Sequence, residues 1–216
     1  MVYSNHITII AELSESEGVF TTAQAHRMGV PRDALHDAVE SGRIERVMRG
    51  AYRMIGSGSS YVDELIAIWK LTDPPAFTHE RMRHSSWDGI AVGGHTAASL
   101  LGYGDFHLSP YRLYAPKRIN SRNPQVIFAK RYVQRDDVSF VQGVPVTRAE
   151  RTIADLVRDD EDMSLVSDAL RDAAYRNRGF DFEKLEKMLK QDNSPAIAAE
   201  LYATLLDGAR LANGGR

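Results

Sequence analysis

The sequence predicts an α+β protein in two parts. A winged helix-turn-helix fills residues 1–55, and a mixed α/β unit over 61–216 ends in a helical tail. Three observations predict it. Residues 1–55 carry three short helical stripes followed by two strand-like runs around a glycine. Gly56-Ser57-Gly58-Ser59-Ser60 has linker composition, poor in anything that packs. Beyond it, strand candidates cluster between residues 111 and 146, and the chain then reads as helical to residue 211.

The first helix is predicted over about 6–16, with Ile9, Ile10 and Leu13 on one side and Gly18 ending it. Thr21-Thr22 supplies an N-cap for a short second helix through Met28. Gly29-Val30 forms the turn. A third helix starts at Pro31, where the first turn tolerates proline, and buries Ala34, Leu35 and Ala38. Gly42 closes it. Residues 44–48 and 51–55 flank Arg49-Gly50 and read as a hairpin. This element order, with only a few residues between helices two and three, is that of a winged helix-turn-helix. A helix fits the major groove, and the hairpin reaches the adjacent backbone.

After the linker, 61–72 is predicted helical, with Leu65, Ile68 and Trp69 inward and Asp73-Pro74-Pro75 stopping it. Gly93-Gly94-His95 leads into a short helix over 96–101. Strands are predicted at 111–115, 125–129 and 138–141, with a fourth at 144–146 after a Gln142-Gly143 turn. Helices follow over 148–158, 164–176, 181–191 and 195–211. The last is apolar over much of its circumference and is expected to be buried in the domain or against a partner.

Several residue runs resemble one family. They are Gly18-Val19-Phe20-Thr21-Thr22-Ala23-Gln24-Ala25, then Gly29-Val30, then Gly42-Arg43-Ile44-Glu45-Arg46-Val47-Met48-Arg49-Gly50-Ala51-Tyr52. Together they resemble the N-terminal domain of AbiEi-type antitoxins, the DNA-binding partners in type IV toxin–antitoxin operons. Ile44, Arg46, Arg49, Gly50 and Tyr52 match that pattern. Gly94-His95-Thr96-Ala97-Ala98-Ser99-Leu100-Leu101-Gly102 is similar to a second element of the group, with Gly94 where serine is usual. The run from Pro145 to Leu156 resembles its strand-to-helix element. The resemblance implies an antitoxin and transcriptional autorepressor that binds repeats in its own promoter. It also implies antagonism of a nucleotidyltransferase-like toxin. The alternative is a protein that neutralises a toxin by direct contact, with the winged helix as a docking module.

Composition and charge bound the function. With 43% hydrophobic and 26% charged residues, the chain is ordinary for a globular protein. The absence of cysteine excludes disulfides, thiolate metal sites and cysteine nucleophiles, and it fits a reducing cytoplasm. The N-terminal residues lack the features of a signal peptide. No stretch reaches the roughly 18 apolar residues of a membrane span. The expectation is a cytoplasmic protein without a membrane partner. The net charge of −2 conceals a run: residues 106–135 hold seven bases and no acid.

Candidate DNA contacts follow from charge. The third helix presents Arg32, Asp33, His36, Asp37 and Glu40; Arg32 is the base-reading candidate, with His36 behind it. Asp37 and Glu40 read as solvated, or paired with Arg43 or Arg46. The hairpin offers Arg43, Arg46, Arg49 and Arg53, and Thr22 at the start of helix two joins this set. Arg46 has a second reading, as an internal arginine paired with Glu45 or Asp37. The second surface is the basic run. Arg118, Arg122, Lys130 and Arg131 fall in or beside loops, and Tyr111, Tyr114, Phe128 and Tyr132 are interleaved. An internal match to the acidic run Asp159-Asp160-Glu161-Asp162 is the other reading of these bases.

Motifs for catalysis are absent, and no cofactor or metal is expected. His79 and His84, five apart, point to different sides of a helix and cannot share a zinc there; that stretch reads as an exposed polar loop. His95 reads as a capping or buried structural histidine. No lysine has an acid two residues before it, as the common metal-dependent nucleases require, and neither a phosphate-binding glycine loop nor Gly-x-Ser-x-Gly is present. The chain is therefore expected not to be an enzyme.

Overall fold

A computed structural model of the chain describes the backbone of residues 2–56 and 61–211. The expected linker, residues 56–60, lies, apart from Gly56, outside the described residues. The fold is α+β, with a helix–strand N-terminal region and a helical C-terminal tail. Two compact units divide it: residues 1–88 with 142–144, and residues 89–141 with 145–216.

The first unit begins with α1 (Val2–Glu17), then β1 (Phe20–Thr21), α2 (Thr22–Arg27), α3 (Arg32–Glu40), β2 (Ile44–Met48) and β3 (Ala51–Met54). Thr21 caps α2 in a reciprocal box. Its hydroxyl accepts from Gln24 N at 3.0 Å, and its own N–H donates to Gln24 Oε1 at 2.9 Å. Pro31 sits one residue earlier than expected, as the cap of α3 rather than in its first turn. The strands form an antiparallel sheet in the order β1-β3-β2. β1 was not predicted, because two residues are too few for a periodicity to register. Ile10, Leu13, Phe20, Leu35, Ile44 and Tyr52 pack into the core beneath α3 and the hairpin. An offset between Arg46 and Met48 in the β2–β3 pairing is a bulge, which sharpens the twist of the wing.

The unit continues past the winged helix into α4 (Asp63–Lys70) and α5 (Thr78–Arg81). The physical reason is a buried ion pair. Lys70, 2% exposed, donates to the Glu17 carbonyl at 3.0 Å and to the Glu17 carboxylate, itself 3% exposed. The carboxylate also accepts from the Thr78 N–H at 3.2 Å and the Thr78 hydroxyl at 2.6 Å. This locks the end of α1 to α4 and α5. Burial lowers the Lys70 ammonium from its ordinary range against the pull of Glu17. The stretch around His79, expected as an exposed loop, contains α5, and its Arg81 is buried. The Arg81 guanidinium lies 4.1 Å from the Trp69 ring centroid and donates to Asp88 and to the Trp69 carbonyl.

Arg27 at the end of α2 pairs with Glu80 at 2.8 Å. Hydrogen bonds from Arg27 and from the Phe77 N–H hold the Glu80 carboxyl down at about 2, below its ordinary 4.5. A carboxyl depressed in the folded state stabilises above its unfolded pKa and loses that contribution as pH falls. The Arg27–Glu80 contribution is thus complete above about pH 5 and disappears between about 4.5 and 2. Glu80→Gln should flatten the acid limb of stability in that window in urea titrations at stepped pH. An unchanged limb removes the pair from acid stability.

The second unit is built on a five-stranded sheet in the order β6-β5-β4-β8-β7. Its strands are β4 (Ala91–Val92), β5 (Tyr111–Ala115), β6 (Val126–Lys130), β7 (Val138–Val141) and β8 (Val144–Thr147). The short β4 was not anticipated, although it is central, antiparallel to β5 and parallel to β8. The predicted turn between β7 and β8 is present, with Gln142 and Gly143 both at positive φ, 49° and 88°. α6 (Gly94–Leu101) and α7 (Ala149–Arg158) belong to this unit. The tail is α8 (Met163–Arg176), α9 (Phe182–Asp192) and α10 (Pro195–Leu211). Its core joins Ile153, Leu156, Val166, Leu170, Leu185 and Leu205. Within α10 only Ala198 and Leu205 are buried among the described residues, and most of the others are exposed, so the expected burial of the C-terminal helix holds for one stripe of it.

Candidate nucleic-acid interface

The winged helix presents two adjacent surfaces. On α3, Arg32, Asp33, His36 and Glu40 are exposed and Asp37 is half-buried, as a stripe at 3.6-residue spacing requires when Ala34, Leu35 and Ala38 turn inward. On the wing, Arg43, Arg46 and Arg49 are exposed. Among the described residues none of the three makes an ion pair, so the reading of Arg46 as an internal arginine bound to Glu45 or Asp37 does not describe it. Its guanidinium instead lies 5.7 Å from the Tyr52 ring centroid. Three cations on a short hairpin, unpaired by carboxylates, retain their full charge for an anionic partner.

The wing tip is held in place. Gly50 adopts φ +88°, a conformation glycine takes without steric cost, so β2 reverses into β3 directly after Arg49. The Gly50 carbonyl accepts from the Thr22 N–H at 3.0 Å and from the Thr22 hydroxyl at 3.5 Å. Thr22 is half-buried, and its hydroxyl reaches the wing rather than standing free for a phosphate. Arg53 also turns inward. Its side chain is 13% exposed, bonded to Glu45 and 3.5 Å from Asp63. It fastens β3 to β2 and α4 and is not part of the presented surface.

The basic run of the second unit separates into two sets. Arg118, Arg122 and Lys130 are exposed, as is Lys117. Arg131 and Arg112 are internal. Arg131 Nη1 meets Asp155 Oδ1 at 2.7 Å and Nη2 meets Asp159 Oδ1 at 2.7 Å, with the guanidinium 4.2 Å from the Tyr114 ring centroid. Arg112 reaches Asp159 at 3.1 Å, and Arg151 reaches Asp155 at 2.8 Å. The internal match to the acidic run is therefore real for Arg112 and Arg131, through Asp159. Their side chains are 20% and 10% exposed. Of the interleaved aromatics, Tyr111 and Tyr114 are buried, Phe128 is half-buried and Tyr132 is exposed.

This cluster shapes the ground beneath α6. Tyr114 OH donates to Asp159 Oδ2 at 2.6 Å, and burial drives the Tyr114 hydroxyl well above its ordinary range. Burial also raises the Asp155 carboxyl, with Arg151 and Arg131 opposing. A Cβ on Gly93 would lie 1.9 Å from the Tyr114 ring, and one on Gly94, at φ +55°, would lie 2.7 Å from Arg112. A side chain at position 94 would therefore crowd the Arg112 stem in a backbone conformation that already favours glycine. His95 is half-buried and does not cap α6; its Nε2 is 2.8 Å from the Pro110 carbonyl and its Nδ1 3.6 Å from Glu161. Sequence reasoning passed over Asp155 and Arg151. Their i, i+4 spacing on a helix was the available signal.

No helix of the described residues is long and apolar enough to cross a membrane. Residues 8–55 match the family described as transcriptional regulator, AbiEi antitoxin. The match covers the winged helix up to the end of the wing. The crystal structure of the RV2827C protein from Mycobacterium tuberculosis is similar in fold, with a TM-score of 0.58 and 16% sequence identity, covering 97% of this chain and 78% of that one. No curated protein matches the chain.

Proposed function

We propose that this chain, matched over residues 8–55 to the AbiEi antitoxin transcriptional regulators, is a DNA-binding antitoxin that represses its own promoter and counteracts a nucleotidyltransferase-like toxin. The carrying observation is the wing, where Arg43, Arg46 and Arg49 stand exposed beside α3 with no carboxylate partner among the described residues. In this reading α3 enters the major groove with Arg32 and His36 at the base edges, and the wing arginines meet the backbone. Arg118, Arg122 and Lys130 add a second cationic face. Arg53, Arg131 and Thr22 support these surfaces from within. Cytoplasmic operation and binding to repeats in the promoter belong to the same proposal.

The deciding experiment is a gel shift on the DNA upstream of the chain's own gene across a salt series. Affinity should fall steeply with salt, with a log–log slope of about −0.9 per neutralised phosphate. Neutralising Arg118, Arg122 and Lys130 together should weaken binding further and make the slope shallower by up to about 3 units. Arg131 is left intact, since it is bonded to Asp155 and Asp159 inside the unit and its loss would disturb that packing. An unaltered slope excludes the second face from the site, and no shift at any salt defeats the DNA-binding reading. Co-expression with the neighbouring gene's product tests the toxin half separately.

A further inference from the structure

The helical tail carries a groove that the DNA reading does not use. It measures about 1180 Å³ and lies between the C-terminal half of α8, the start of α9 and one stripe of α10. Leu170, Leu206 and Ala209 line it along the packed side. Tyr175 and Phe182 stand at its edge, 89% and 38% exposed. Two partly or fully exposed aromatic rings beside a cleft with an apolar side form a surface of the kind that partners cover.

Charge selects the partner. Three guanidiniums, from Arg171, Arg176 and Arg210, line the groove against the single carboxylate of Asp172. Arg171 is already engaged, 2.6 Å from Asp168. Arg176 and Arg210 have no ion pair among the described residues. A helix laid in the groove with apolar side chains down and carboxylates toward Arg176 and Arg210 would satisfy both the rings and the cations. Nucleic acid is the poorer occupant. A sugar–phosphate backbone would leave Leu170, Leu206, Ala209 and the two rings uncovered, whereas the apolar face of a helix covers them. Residues 212–216 of this chain, Ala-Asn-Gly-Gly-Arg, have neither acidic nor large apolar side chains to fill it.

We infer that the α8–α10 groove is a docking site for an acidic amphipathic helix of a partner protein, gripped by Arg176 and Arg210 at its edges and by Tyr175 and Phe182 at its mouth. The mode is helix-in-groove recognition with anchors at i, i+3 or i+4, and i+7. Neither arginine belongs to the proposed DNA surface, so the inference stands or falls apart from that reading.

The test uses the full chain and two fluorescent 16-residue helical peptides with leucine and phenylalanine at anchor spacing. One carries glutamates flanking the anchors and the other carries lysines there. The acidic peptide should bind at least tenfold more tightly than the basic one. R176E/R210E should reverse that preference, Phe182→Ser should weaken both peptides, and each variant should keep the wild-type circular dichroism spectrum and melting temperature. Removal of residues 212–216 should leave binding unchanged. Equal affinity for the two peptides, no binding of either, or binding that appears only after the truncation overturns the inference. Loss of duplex binding by R176E/R210E with unchanged acidic-peptide affinity also overturns it, by placing nucleic acid in the groove.

Discussion

Replacing Arg43, Arg46 and Arg49 together by alanine is expected to abolish gel-shift binding at physiological salt while leaving the fold intact. Each arginine that donates to a phosphate contributes about 1.5–3 kcal/mol, the range for hydrogen bonds to charged groups. Three such losses exceed a thousandfold in affinity, since about 1.4 kcal/mol is tenfold. The fold should survive because all three side chains are exposed and make no ion pair among the described residues; Arg46 gives up its approach to Tyr52. Arg53→Ala should behave in the opposite way. It removes a bond to Glu45 and a neighbour of Asp63 inside the hairpin, so thermal stability should fall before affinity does. Measuring melting temperature and affinity for both variants separates the presented arginines from the structural one. If the triple variant keeps its affinity, the wing does not face the duplex.

The largest stability effect is expected at Lys70. Lys70→Met strands the Glu17 carboxylate at 3% exposure and should cost about 3–5 kcal/mol, read as a shift of the first unit's urea midpoint. Glu17→Gln/Lys70→Met should recover much of that loss. The amide carbonyl still accepts from Thr78, and the methionine fills the lysine channel without a charge to desolvate. The pair joins α1 to α4 and α5, so the single variant should also loosen the base on which α3 and the wing are mounted. A single variant within 0.5 kcal/mol of the parent would falsify the role assigned to the pair.

The two effects differ in how visible their residues were. The hairpin could be read directly, because Arg49-Gly50 between two short apolar runs is a local pattern, whereas the exposure of Arg46 and the inward turn of Arg53 depend on packing and on Asp63 of α4. Like the hairpin, α3 could be read directly, since its buried positions 34, 35 and 38 fix which side faces outward. Lys70 gave no such signal. It ends a helix of Leu65, Ile66, Ala67, Ile68 and Trp69, and its partner is 53 residues away. α5 was misread for the same reason: a single turn around His79 looks polar until Arg81 is found over Trp69. The basic run met the same barrier. Seven bases without an acid suggested one continuous strip, yet Asp155 and Asp159 withdraw Arg112 and Arg131 from it.

By itself, then, the chain's order of residues determined the α+β class, the helix-turn-helix with its wing, and most of the longer helices. These depend on periodicity and turn chemistry within a few residues. Only tertiary structure decided which arginines remain free, where the first unit ends, and that two-residue strands β1 and β4 complete both sheets. Those outcomes depend on carboxylates and strands distant in sequence, and burial makes such partners obligatory because an uncompensated charge or amide cannot be left in the interior.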